Sequence, residues 1–287
     1  MATTYNNLYL DARRRLREAG VEGAQLEARE LVCAAAGKSR EQYYRDMALY
    51  ASDPVEEKLR QLVERRLAGE PVAYLIGEWE FYGLTLTVNR DVLIPRMDTE
   101  VLAERAILLA RAAGEGARVL DLCAGSGCVG LAVASNVPGC RVVLADISQA
   151  ALKTCKQNIR RCDLNARVTC VQADALAPPE AALWDFDVIA CNPPYIPTRD
   201  IAGLDPSVRD YEPRSALDGG EDGLDFYRAV VSQWGSALRL GGSLLFEVGV
   251  GQAADVERLM AEHGFSDVQS SQDTQGIWRV VEGIMKG

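Results

Sequence analysis

The sequence predicts an α/β protein, a parallel doubly wound sheet preceded by a small helical bundle. Three observations carry this. From Gly114 onward, short β-branched runs alternate with helical patterns, as in a parallel sheet with helices on both faces. Before residue 70, apolar residues recur at helical spacing instead. At 121–130 a strand runs into a glycine-rich turn that opens a helix, which brings bare backbone and helix N–H groups to a ligand.

In chain order, residues 6–67 read as four short helices. The first aligns Leu8, Ala12, Leu16 and Ala19 and closes at Gly20; the second aligns Leu26, Leu31, Val32 and Ala35 before Gly37. Ser39 with Gln42 forms a capping box for the third, which runs through Tyr43, Tyr44 and Met47. The fourth is expected to start with Asp53 as cap, Pro54 at the first helical position and Glu56 completing the box. Its stripe is Val55, Leu59, Leu62, Val63 and Leu67. Residues 1–70 therefore read as a helical domain with few catalytic groups, suited to docking a substrate. Residues 71–97, with Trp79, Phe81, Tyr82, Gly83 and alternating Leu84, Leu86 and Val88, predict a β-hairpin linker.

Residues 98–287 hold the larger domain. A helix capped by Asp98 or Thr99 buries Val101, Leu102, Ala106 and Leu109. Strands follow at 118–122, 142–147, 168–173, 186–191 and 243–248. Helices are expected from near Ser126, from near Ser148, over about 224–240 and over 253–263. Two last apolar stretches, around Val268 and at 277–281, predict an antiparallel terminal hairpin and bring the sheet to seven strands. The stretch 196–222 is long, polar and rich in Pro and Gly, as functional loops are.

Composition narrows the class. The 287 residues are 48% hydrophobic and 25% charged, ordinary for a globular protein. No apolar run approaches the roughly 20 residues of a membrane span, and the first residues lack the basic start and apolar core of a signal peptide. Eight scattered cysteines without a C-x-x-C pair read as reduced cytoplasmic thiols. His263, the single histidine, has no partner histidine for a zinc site or a histidine base, and no metal is expected. A net charge of -10 disfavours a broad nucleic-acid surface and fits a basic partner better. Arg13-Arg14-Arg15 and Arg160-Arg161 read as solvated helix faces.

Four successive strand ends carry polar groups where open α/β sheets bind ligands. The first is Asp121, followed by Cys123, Ala124, Gly125, Ser126 and Gly127; then come Asp146, Asp174 and Asn192. Gly125, Gly127 and Gly130 satisfy G-x-G-x-x-G, so a nicotinamide enzyme is one reading. Asp121 argues against it, because an acid there repels a pyrophosphate and attracts the ammonium of an amino-acid moiety. S-adenosylmethionine has that ammonium and no phosphate. Asp146 suits ribose hydroxyls, although it also suits an ordinary helix cap. In Asn192-Pro193-Pro194-Tyr195, two prolines end the strand and fix the backbone around an amide and an aromatic ring. That serves either plain strand termination or the holding of a planar amide or amino group.

These motifs, with Gly69-Glu70-Pro71-Val72-Ala73-Tyr74-Leu75-Ile76-Gly77, Leu93-Ile94-Pro95-Arg96, Asp98-Thr99-Glu100, Glu212-Pro213, Ala216-Leu217 and Phe246-Glu247-Val248-Gly249, resemble the HemK/PrmC family of class I S-adenosylmethionine-dependent methyltransferases. The resemblance spans nearly the whole chain. It implies a Rossmann-like fold and methyl transfer to the side-chain amide nitrogen of the glutamine in the Gly-Gly-Gln motif of peptide chain release factors. The partner it implies is a release factor, with no stable nucleic-acid or membrane binding. It also implies a cofactor site of residues 123–127 with Asp146, Ala175 and Asn192, and a glutamine site of Asn192, Pro193, Pro194 and Tyr195. Asn192, Pro193 and Tyr195 would serve catalysis by aiming the amide nitrogen, with Tyr195 packed on the flat amide and aromatic faces contributing about 0.5 to 2 kcal/mol towards the sulfonium charge. Asp174 is expected at the adenine. Met97 departs from the family's usual proline, and Cys123 and Ala124 from its commoner residues. A ribosomal-protein glutamine methyltransferase shares the same motifs. An adenine-N6 nucleic-acid methyltransferase would stack a flipped base on Tyr195. A dehydrogenase lacks its hydride-transfer constellation here, and a non-catalytic cofactor sensor would not need Asn192.

Overall fold

A computed structural model describes residues 3–286. The chain divides into two compact units, one formed by the residues up to Glu78 together with Asp205–Tyr211, the other by Trp79–Leu204 and the residues from Glu212 onward.

In the first unit, α1 (Tyr5–Glu18), α2 (Ala24–Ala36), α3 (Arg40–Asp46) and α4 (Asp53–Leu67) pack around Leu16, Leu31, Val32 and Val63. The capping box of α3 forms as its sequence demands: Gln42 N donates to Ser39 Oγ and Ser39 N to Gln42 Oε1. For α4 the cap is Ser52, which places Asp53 and Pro54 inside the first turn. The stretch expected to be wholly hairpin begins with a helical turn, α5 (Val72–Ile76), whose four buried side chains turn it into the bundle before Gly77 ends it in the left-handed region. Glu70 accepts two hydrogen bonds from Arg65, at 2.8 and 2.9 Å. A short helix, α9 (Pro206–Arg209), lies in the returning segment, where the Tyr211 hydroxyl donates to the Ala68 carbonyl.

The second unit begins at Trp79, inside the hairpin of β1 (Glu78–Phe81) and β2 (Leu84–Thr87), and continues with α6 (Thr99–Ala113). Its sheet has seven strands in the order β5-β4-β3-β6-β7-β9-β8, and the expected terminal hairpin forms. Parallel strands β3 (Arg118–Leu122), β4 (Arg141–Asp146), β5 (Val168–Gln172), β6 (Phe186–Cys191) and β7 (Leu238–Glu247) are closed by β8 (Phe265–Gln272) and β9 (Trp278–Met285), with β9 antiparallel to β7. Two cores cover the faces. One gathers side chains of α6, α7 (Cys128–Asn136), α8 (Gln149–Arg161) and the β1–β2 hairpin; the other gathers those of α10 (Asp225–Gln233) and α11 (Ala253–Glu262). Along β3, Val119 belongs to the first core and Leu120 and Leu122 to the second, so the two-residue period directs Asp121 to the α7 face.

One boundary differs from expectation. The helix expected over 224–240 stops at Gln233, and β7 starts at Leu238, because Leu238 pairs with Phe186 and the register then shifts by a bulge before Val188 pairs with Ser243. Gly242 permits this: a Cβ there would stand 3.0 Å from the Phe186 carbonyl.

Candidate active site

A cavity of about 580 Å³ lies over the carboxyl ends of β3, β4, β5 and β6. Its floor is the turn after β3. Cys123, Gly125 and Gly127 all take positive φ angles (63°, 56° and 81°), and the Ala124 amide donates to the Ala145 carbonyl, which folds the turn against β4. A Cβ on Gly125 would meet no atom within 4 Å, so this residue presents bare backbone to the cavity. Gly127 does not reach the cavity wall. It caps α7 instead, and a Cβ there would stand 2.8 Å from Leu144. Helix α7 accordingly starts at Cys128, two residues beyond Ser126.

The acids have distinct settings. Asp121 is buried and accepts from the Gly130 amide at 2.8 Å; burial pushes its carboxyl up to about 7, opposed by that hydrogen bond. Asp146 accepts from the Gly125 and Ser148 amides, both at 2.8 Å, and burial raises it too. Each of its oxygens retains acceptor capacity for a ligand hydroxyl. Asp174 is exposed at the cavity, with one oxygen taking the Leu176 amide, beside buried Ala175. The Ser126 hydroxyl is buried in the cavity wall without a protein partner.

Asn192 and Pro194 line the same cavity. The Asn192 Nδ2 donates to the Thr99 hydroxyl at 3.4 Å, leaving Oδ1 to accept from another group. Pro193 and Tyr195 lie off the wall. The prolines turn the chain so that Tyr195 packs with the second core, where its carbonyl accepts from Gln252 Nε2 at 2.9 Å and a Cβ on Gly249 would stand 3.0 Å from its ring. Burial raises its phenol.

Several contributors escaped the sequence reading. Ile147 and Leu176 give the cavity apolar edges, and Leu93, Pro95, Pro213 and Ala216 wall its other side. Glu212 holds these two wall segments together, accepting from the Ile94 amide at 3.0 Å and pairing with Arg96. Asn158, buried on α8, bonds the carbonyls of Ser126 and Thr87 and the Thr87 amide, tying the glycine turn to β2. An apolar residue directly after a strand-end acid, as at Ile147, is the one local signal for such an edge.

Strand order and cavity position together define a class I methyltransferase fold. Residues 99–202 match the model of the methyltransferase small domain, and residues 7–77 that of the PrmC N-terminal domain. A methyltransferase from Pyrococcus furiosus shares the fold at 18% identity, with a TM-score of 0.52 over 79% of this chain and 98% of that one. The release factor glutamine methyltransferase of Geobacter sulfurreducens is 44% identical over 270 residues, 93% of this chain and 92% of the relative. That of Bradyrhizobium diazoefficiens is 39% identical over 93% and 90% of the respective chains. The chain belongs to the release factor glutamine methyltransferase family, an S-adenosylmethionine-dependent enzyme family. Among the described residues, no helix is long and apolar enough to cross a membrane.

Proposed function

We propose that this protein methylates the side-chain amide nitrogen of the glutamine in the Gly-Gly-Gln motif of a peptide chain release factor. The observation that carries the reading is the meeting, in one cavity, of the bare glycine turn and an Asn192 whose Oδ1 is free to accept.

The residues fit the cofactor. Gly125 admits close approach of its amino-acid part, Asp121 supplies a carboxylate towards its ammonium, and Asp146 offers acceptors to its ribose. The unpartnered Ser126 hydroxyl suits a polar ligand atom, and Ile147 and Leu176 with Asp174 and Ala175 suit adenine. S-adenosylmethionine supplies, when bound, an electrophilic methyl on a sulfonium. The chain's own part is positioning. An amide nitrogen is a weak nucleophile because its lone pair is delocalised; an acceptor at Asn192 Oδ1, on the cavity wall, would take one of its N–H bonds and aim it, while the Pro193 carbonyl, expected to take the other, lies off that wall. Pro194 walls the acceptor side, and Tyr195 anchors the turn through its carbonyl. The product proton can pass to water, so no strong base is needed.

Purified protein, labelled S-adenosylmethionine and a release factor test this directly. Methyl incorporation is expected into the release factor and not into its Gln→Ala variant, ribosomal protein or DNA. Incorporation that persists without that glutamine, or occurs only in ribosomal protein or DNA, overturns the proposal.

A further inference from the structure

The amide of Asn192 has two faces, and only one is useful for accepting hydrogen bonds from a substrate amide. If the amide turned over, its NH2 would face another NH2. Strand geometry shows what prevents this. In β6, Ile189 and Cys191 belong to the second core and Val188 and Ala190 to the first, so Asn192, next in the alternation, points to the α6 side. In β7, Leu244 and Phe246 belong to the second core and Leu245 to the first, so Glu247 points the same way. Cys191 pairs with Phe246, which puts Asn192 and Glu247 on the next rung, side by side beneath the first residue of α6, Thr99. Thr99 and Glu247 are both buried, and Glu247 Oε2 has no partner.

The Thr99 hydroxyl carries a single proton. Where Glu247 is ionised it can only accept, and a Thr99 proton turned to its unpartnered Oε2 leaves Thr99 able only to accept from Asn192. Its Oγ1 then requires the Nδ2 face of the amide, the observed contact at 3.4 Å. Resting on the function proposed above, we infer that Thr99 and Glu247 are positioning residues that fix the orientation of the Asn192 amide and keep its Oδ1 towards the acceptor glutamine. Neither residue touches the reacting atoms in this role.

The test uses the full-length protein with a release factor as substrate. Thr99→Val keeps the shape and removes the proton; Thr99→Ser keeps the proton. Thr99→Val should lower kcat about 100-fold, the scale of one lost transition-state hydrogen bond, with the cofactor Kd changed less than about 3-fold. Thr99→Ser should restore kcat to within about 5-fold. Glu247→Leu should behave as Thr99→Val does. Glu247→Gln, which still accepts through Oε1 and is the safer fold, should resemble Thr99→Ser. Equal loss in Thr99→Ser and Thr99→Val, or unchanged kcat in Thr99→Val, overturns the inference. Hydrogen exchange of the Asn192 side-chain amide, assigned by its disappearance in Asn192→Ala, decides the pairing without any turnover. Slow exchange is expected in wild type and Thr99→Ser, fast exchange in Thr99→Val; equal rates in all three overturn it. Wild type that exchanges slowly yet transfers no methyl to a release factor would refute the proposed function and leave the pairing established.

Discussion

In the proposed function Asn192 and Asp121 serve different halves of the site, and their substitutions should separate. Asn192→Ala removes an acceptor for the substrate amide but none of the cofactor floor. It should lose methyl transfer by about 100- to 1000-fold while calorimetry shows the cofactor Kd nearly unchanged; equal loss of both would reassign the Asn. Asp121 should make cofactor affinity depend on pH. Burial holds its carboxyl at about 7 in the ligand-free protein, and the ligand ammonium favours the ionised form. Affinity should therefore rise as pH climbs towards 7 and level off above it, and Asp121→Asn should flatten the curve. The same raised value has the opposite sign for stability. The folded group binds its proton more tightly than the unfolded one, so its contribution is full below the unfolded pKa near 4 and is lost as pH rises through about 7. Glu247, also pushed up to about 7 by burial and opposed by hydrogen bonding to Thr99, adds to that loss. Denaturant unfolding of the ligand-free protein should show a smaller decline between pH 5 and 8 in Glu247→Gln than in wild type.

The elements explain which of these residues were legible. Strand ends were readable because buried parallel strands are short β-branched runs, and a polar residue ending one stands out, as Asp121, Asp146 and Asn192 do. Capping was readable where side chain and backbone reciprocate locally, as at Ser39 and Gln42, and misread by one residue at Ser52, where no side-chain bond fixes the start. The start of β7 was hidden because a cross-strand pairing with Phe186 decides it. The third glycine of the turn illustrates the close approach of α7 to β4. A Cβ on Gly130 would stand 2.3 Å from Leu144 and 3.0 Å from Asp121. Gly130→Ala should therefore destabilise the protein by about 1 to 3 kcal/mol through overpacking, seen as a lower Tm, and weaken the cofactor by displacing Asp121. An unchanged Tm would mean that the packing yields more easily than these distances imply.

At the level of the molecule, the cavity is made wholly of residues from the second unit, although they span positions 91 to 226. Cofactor should slow amide exchange in the segments around Gly125, Asp146, Ala175 and Asn192 and leave 3–78 unaffected, measured by hydrogen-exchange mass spectrometry. Because it binds only the folded state, cofactor at 100 times its Kd should stabilise that unit by about 2.7 kcal/mol. Protection spread equally over the helical unit would place the site elsewhere. The helical unit carries the PrmC N-terminal match, and its low content of catalytic groups was apparent from composition.

By itself the sequence determined the sheet, its helices, the glycine turn after β3 and the strand-ending Asn192-Pro193-Pro194-Tyr195, because periodicity, proline and glycine act through local sterics that need no partner. Only the tertiary structure decided that Gly127 packs instead of lining the cavity, that Tyr195 turns to the second core, and that Glu212 joins two walls 118 residues apart. It alone set Glu247 beside Asn192 under Thr99, because strand register and side-chain burial depend on neighbours distant in the chain.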